Sequence, residues 1–237
     1  MLMRQIACLV LGTACCLAAR AEDAVVTGHV DLIAPEGKPW RGSQANTAVW
    51  LTPVPGSAIL TAGEQKPAPR LVQKNKSFEP RVVILRAGTA VEFPNHDPFF
   101  HNVFSLFDSK RFDLGLYEAG GTRYVHFDKP GISFIFCNIH PEMSAVVVAV
   151  TTPYYALSDN AGNITIKGVT SGRYMLHIWN ERALPGAAIR EITVPEEAIS
   201  FGTVRLPISV APDAPHKNKY GRDYDPSAPA NPVYEQH

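Results

Sequence analysis

Cys137-Asn138-Ile139-His140-Pro141-Glu142-Met143 places a thiol, an imidazole and a thioether within one short stretch. A second imidazole, His101, lies upstream in Pro98-Phe99-Phe100-His101-Asn102-Val103. One thiolate and two imidazoles in a trigonal plane, with a weak axial thioether, form the ligand set of a type-1 copper electron-transfer centre. The set is a compromise between the preferences of Cu(I) and Cu(II), so a metal held by it changes oxidation state with little movement. Each residue alone has a plainer reading. A lone cysteine at a strand end is more often a small buried hydrophobe, and a methionine is more often core filler. Order, spacing and context together favour copper.

The spacing asks for strands. The apolar run from Ile132 to Phe136 delivers Cys137 at its end, a tight loop carries His140, and Met143 stands where the next strand, from Ser144 to Val150, begins. His101 comes from a separate strand end and closes the site only in a folded sandwich. His96 competes for that upstream role. With period-2 alternation, Ile135 and Ser133 share the Cys137 face, and Phe134 and Phe136 point the other way. The two outward aromatics suit either packing against another sandwich or a distal electron route. His29, His126, His177, His216 and His237 show no partner pattern. The chain as a whole reads as all-β: it has 17 Gly and 20 Pro, and short β-branched and aromatic runs lie between turn residues. Such spacing suggests sandwiches rather than a parallel α/β sheet.

Arg4, an apolar run from Ile6 to Ala19 and the Ala19-Arg20-Ala21 site read as a secretory signal, residues 1–21, cleaved after Ala21. The run is short of the roughly 20 apolar residues that span a bilayer, and no other segment is suited to crossing. Cleavage before Cys15, with lipid attached, is a second option that Gly12-Thr13-Ala14 matches poorly. Removing residues 1–21 leaves Cys137 as the one remaining cysteine of four. An odd thiol in an oxidising compartment calls for an explanation, and metal ligation is one. The mature chain carries 20 basic and 22 acidic residues, which gives no reason to expect nucleic acid or an anionic membrane as partner.

These residues resemble the cupredoxin family. The Cys-x2-His-x2-Met loop with Pro after the histidine is most similar to the loop of amicyanin. His101-Asn102, Phe136 before the cysteine, the lead-in Lys76-Ser77-Phe78-Glu79-Pro80 and the stretch Gly88-Thr89-Ala90-Val91-Glu92-Phe93-Pro94-Asn95 add to the resemblance, which covers roughly residues 70–150. It implies a cupredoxin Greek-key β-sandwich over 66–150, with copper bound by His101, Cys137, His140 and Met143. It also implies that Asn102 ties the ligand loops together and donates a backbone N–H toward the cysteine sulfur. An Asn directly after the upstream histidine is part of the same resemblance, which favours His101 over His96. His140 would present its ring edge at the surface as the electron port, with Phe99, Phe100, Ile139 and Pro141 as candidates for an apolar patch around it. Glu142 departs from that pattern by putting a charge beside the port.

Residues 153–207 resemble the second half of carboxypeptidase-regulatory-like (transthyretin-related) domains through Asp159-Asn160-Ala161-Gly162-Asn163, Ile164-Thr165-Ile166 and Gly172-Arg173-Tyr174-Met175-Leu176. The matching first half lies at Gly28-His29-Val30, Gly37-Lys38-Pro39 and Ala48-Val49-Trp50-Leu51. The expectation is one smaller, discontinuous β-sandwich, 24–55 plus 151–207, with the copper domain inserted into it. A long N-terminal arm and a separate half-domain is the alternative, but a half-domain would leave sheet edges uncovered. Residues 208–237, rich in Pro, Asp, Lys and Asn, read as a disordered tail.

The combined expectation is a periplasmic or secreted protein, not an enzyme, that binds one type-1 copper and carries one electron. Whole-chain resemblance to methylamine-utilisation-like proteins implies a redox partner such as a c-type cytochrome or a periplasmic dehydrogenase. Copper delivery without redox turnover is the second reading, and a non-redox scaffold or adhesion module the third. A dinuclear copper centre would need a second cysteine in the loop. A multicopper oxidase or nitrite reductase would need further clustered histidines. Zinc accepts Cys and His but rarely Met.

Overall fold

A computed structural model of the protein describes residues 23–57, 60, 66–184, 189–210 and 216–224. The expected signal sequence, residues 1–21, and its cleavage site lie outside the described residues. No helix among those described is long and apolar enough to cross a membrane. The molecule is all-β.

Two strands, β1 (Ala24–Ile33) and β2 (Ala48–Pro53), come first. Nine follow: β3 (Val72–Lys74), β4 (Ser77–Glu79), β5 (Val82–Arg86), β6 (Thr89–Pro94), β7 (His101–Phe107), β8 (Lys110–Tyr117), β9 (Thr122–Phe127), β10 (Gly131–Cys137) and β11 (Ser144–Val150). The last five are β12 (Tyr155–Leu157), β13 (Asn163–Val169), β14 (Gly172–Trp179), β15 (Ile189–Val194) and β16 (Ile199–Pro207).

The nine middle strands enclose the site. A five-stranded sheet in the order β5-β11-β10-β7-β8 lies over the β6-β9 pair, and Val103, Ile135, Cys137 and Val147 of the first meet Val91, Phe93, Val125 and Phe127 of the second in one buried core. β10 and β7 are neighbours in that sheet, with Cys137 opposite Val103, so the ends of the two ligand-bearing strands are side by side. Ile135, Ser133 and Cys137 are buried on the inner face, whereas Phe134 and Phe136 face outward, as period-2 geometry requires.

The other seven strands form two sheets, β13-β1-β16 and β12-β2-β14-β15. Val26, Val30, Val49, Leu51, Ile164, Tyr174, Leu176 and Ile178 are buried between them. The ring of Phe201 occupies the space where a side chain at Gly28 would stand, with a Cβ falling 2.1 Å from it. β2 and β12 are antiparallel neighbours, Trp50 opposite Tyr155, so the chain leaves for the nine middle strands at the end of one strand and returns at the start of its partner.

A third apolar cluster joins the two halves. Val82, Val146, Val148 and Val150 on the outer face of the five-stranded sheet pack with Ala48 and Tyr155, flanked by Ile132, Phe134, Trp50 and Trp179. Arg81 and Glu181 are ion-paired across this junction at 2.9 Å. Of the two uses open to the outward aromatics, Phe134 takes the packing one. Residues 216–224, within the expected disordered tail, instead lie against β10 and the loop after it. There His216 stacks on Phe136 with ring centroids 4.2 Å apart.

Candidate metal centre

Local chemistry builds the site from the β3–β4 turn upward. Asn75 and Lys76 sit in the left-handed region, at φ 54° and 52°, which turns both amides toward the 95–98 loop. There the Asp97 carboxylate accepts from the Asn75 N–H at 2.6 Å and the Lys76 N–H at 3.0 Å. Asn95 shapes the loop by accepting from the Asp97 N–H and donating to the Phe99 carbonyl. Burial pushes the Asp97 carboxyl up, but the Lys76 amide, His101 and the Asn75 amide outweigh it and hold it below the usual carboxylate range. An ionised Asp97 is an acceptor only, so the contact at 2.9 Å to His101 Nε2 fixes the proton there and leaves the Nδ1 lone pair free.

That Nδ1 lies 3.6 Å from Cys137 Sγ. His140 Nδ1 lies 3.7 Å from the same sulfur and 3.2 Å from His101 Nδ1. Three soft-to-borderline donors thus converge on one point, with all three side chains buried. Met143 is fully buried in the same core as Cys137. Its N–H donates to the His140 carbonyl and its carbonyl accepts from the Cys137 N–H, which closes the ligand loop on itself. Two imidazoles and a thiolate, with a thioether in the same core, fit copper. A carboxylate on the far nitrogen of a ligating histidine is the partner such a ligand usually has. His96, by contrast, is exposed.

Burial raises the Cys137 thiol, opposed by the backbone N–H groups of Asn102, Ile139 and His140 that point at the sulfur. The Asn102 amide is among the groups that oppose the effect of burial on the sulfur. The Asn102 carbonyl also accepts from the Asn138 N–H at 2.9 Å, joining the two ligand stretches through the backbone. Its side chain goes elsewhere, to Asp113 and the Gly115 carbonyl. Burial, with His101 alongside, pushes His140 down to about 4. Burial also lowers His101, and Asp97 only partly offsets this. Both imidazoles are neutral at pH 7, the form that binds a metal.

One expectation fails. His140 is 2% exposed, so almost none of it reaches solvent. Phe99 packs against it with centroids 5.3 Å apart and stands equally close to His101, while Phe99 itself, Phe100, Ile139 and Pro141 reach the surface. Sequence reading also missed Asp97 and His216. Asp97 stands four residues before His101 and could have been found from that spacing, but His216 carried no signal.

No family model matches this chain, and neither does any curated protein. Its solved structural neighbours include cupredoxins. A purple cupredoxin from Nitrosopumilus maritimus is 19% identical over 35% of this chain and 99% of its own length, with a TM-score of 0.32. A reduced amicyanin variant is 20% identical over 43% of this chain and 99% of its own, at 0.33. A copper-containing nitrite reductase from Thermus scotoductus is 24% identical over 42% of this chain and 25% of its own, at 0.34.

The geometry separates the two upstream histidines. His101→Ala should abolish any thiolate-to-copper absorption of the Cu(II)-loaded protein, because it removes one of three converging donors. His96→Ala should leave the spectrum unchanged. Visible spectra of the two variants check this, and the reverse pattern would displace His101 from the site.

Proposed function

We propose that this protein is a periplasmic or secreted type-1 copper protein that carries one electron per cycle and makes or breaks no substrate bond. The observation that carries the proposal is the buried convergence of His101 Nδ1, His140 Nδ1 and Cys137 Sγ within 3.2–3.7 Å of one another. Bound copper would supply a one-electron Cu(II)/Cu(I) couple, held by His101, Cys137, His140 and Met143. Asp97 orients His101. The three amides aimed at Cys137 stabilise the thiolate. The enclosing core keeps water and competing ligands from the donors.

Because His140 is covered, electrons would leave through the contact between its ring and Phe99. The partner would be a redox protein such as a c-type cytochrome or a periplasmic dehydrogenase, docking on the Phe99 side. The delivery reading is disfavoured by burial, since a recipient's ligand would have to reach donors that are 0–2% exposed.

Two measurements test the reading. Purified protein given Cu(II) should show intense visible thiolate-to-copper absorption that bleaches and returns through rapid, reversible reduction. Uptake at pH 7 should release roughly one proton per copper, from Cys137, because both imidazoles are already neutral. Calorimetry in two buffers of different ionisation enthalpy counts that proton. Release of two or more would show that a histidine is protonated in the metal-free site. A colourless copper complex would remove the type-1 assignment.

A further inference from the structure

The segment 216–224 touches both ligand-bearing stretches. The Tyr224 O–H donates to the Cys137 carbonyl at 2.8 Å. The Lys219 N–H donates to Asn138 Oδ1 at 3.0 Å. The His216 ring lies nearly parallel to Phe136, at 21°. Three consecutive residues around the cysteine are therefore held by one short piece of chain. The same piece reaches the other stretch, because the Lys219 ammonium pairs with Asp113 at 2.8 Å and Asp113 accepts from the Asn102 side chain.

The segment is itself a fixed turn. Asn218 Oδ1 accepts from the N–H groups of Tyr220 and Arg222, and the Asn218 carbonyl accepts from the N–H of Gly221. Gly221 stands at φ 74°, a conformation glycine adopts freely. Tyr224 packs edge-on against His216, so the two anchors support each other.

The Tyr224 contact falls on an informative peptide unit. The Cys137 carbonyl and the Asn138 N–H belong to the same plane. The carbonyl end is held by Tyr224, and the N–H end donates to the Asn102 carbonyl at 2.9 Å. That plane leads directly into the stretch whose Ile139 and His140 amides oppose the effect of burial on the cysteine sulfur. Releasing one end frees the plane to rock and the loop beyond it to open.

We propose that residues 216–224 form a clamp that holds the metal-ligand loop in its binding geometry before any metal arrives, with Tyr224 and His216 as positioning residues. The inference rests on the copper-site reading for its purpose, though not for its geometry. A clamped loop keeps the donors in place across metal loss and slows metal escape.

The test uses the full chain and two readouts. In the metal-free protein, amide hydrogen exchange of Ile139, His140 and Met143 should speed up roughly tenfold in Tyr224→Phe, the scale expected for one lost hydrogen bond, while Val147 and Ile135 in the neighbouring strands keep their protection. In the copper-loaded protein, the visible spectrum should stay the same, and transfer of Cu(I) to an excess of a Cu(I)-specific chelator should be roughly tenfold faster. His216→Ala should behave like Tyr224→Phe. His216→Phe keeps a ring stacked on Phe136 but loses the ring nitrogen 3.4 Å from the Tyr224 hydroxyl, so it should fall between wild type and His216→Ala. Unchanged loop exchange would overturn the clamp, and so would a rise spread evenly over the whole sandwich. If wild-type protein shows no thiolate-to-copper band, the copper reading fails, while the exchange experiment still decides whether the clamp exists.

Discussion

Cys137→Ser, loaded with Cu(II), is expected to lose all intense visible absorption while its fold survives. Cys137 is the one cysteine among the described residues and the sulfur on which both histidine Nδ1 atoms converge, so no other thiol can take over. The fold should persist because the core around it consists of apolar side chains, Val91, Phe93, Val103, Ile135 and Val147 among them, and because serine is smaller than cysteine. Serine still places a hydroxyl in a dry core. The Nδ1 atoms of His101 and His140, 3.6 and 3.7 Å from the sulfur, offer the hydroxyl an acceptor, so the loss should stay within about 1–3 kcal/mol. Visible spectroscopy and chemical denaturation of the same preparation measure both halves. Retained colour would refute the thiolate assignment. An unfolded variant would show that the apolar core does not hold the sandwich by itself.

The candidate site was legible in the sequence because its chemistry is local. Three donors lie within one loop, and the strand before them alternates strictly, so the inward run of Ser133, Ile135 and Cys137 can be read directly. The role expected of Asn102 came from the family resemblance and not from the strand pattern. What surrounds the site was not legible, because it depends on contacts distant in sequence. Burial of His140 arises from packing against Phe99, and stacking on Phe136 brings in His216 from far along the chain. No local pattern encodes either. Some strands leave a weak pattern in the sequence for a related reason. β8 (Lys110–Tyr117) and β16 (Ile199–Pro207) are sheet-edge strands with mostly exposed or half-exposed residues. Edge strands need not alternate cleanly, because charged or polar residues there discourage further pairing. In β16 a bend at Gly202, φ 76°, breaks the alternation as well. Residues 208–237 read as coreless from composition. The 216–224 stretch has no core of its own, yet it borrows one from Phe136 and Phe104.

A chain limited to residues 151–210 is expected to be unfolded or insoluble, and restoring residues 24–55 should rescue it. Strand order gives the reason. β1 is the middle strand of β13-β1-β16, and β2 lies between β12 and β14 in the other sheet. Removing the N-terminal segment therefore takes an inner strand from each sheet, leaving β13 and β16 unpaired with each other and β12 cut off from β14. It also takes Val26, Val30, Val49 and Leu51 out of the core, each worth about 1.5–3 kcal/mol of burial. A domain of this size has no such reserve, since total stability is about 5–15 kcal/mol. We propose that 24–55 and 151–207 are one folding unit interrupted by the copper domain. Because Trp50 pairs with Tyr155, joining 55 to 151 by a short Gly/Ser linker would turn β2 and β12 into an ordinary hairpin and should restore cooperative unfolding. The excised copper domain, 68–151, meets a different difficulty. Its inner core is complete, but the outer face bearing Val82, Val146, Val148, Val150 and Phe134 loses its cover, and the 216–224 clamp is gone. It should fold and bind copper, yet self-associate and release the metal faster than the whole protein. Circular dichroism with thermal melts, and sedimentation of the copper-loaded fragment, measure these outcomes. A cooperatively folded 151–210 fragment would defeat the interrupted-domain proposal and leave the copper assignment standing, because the two rest on different strands.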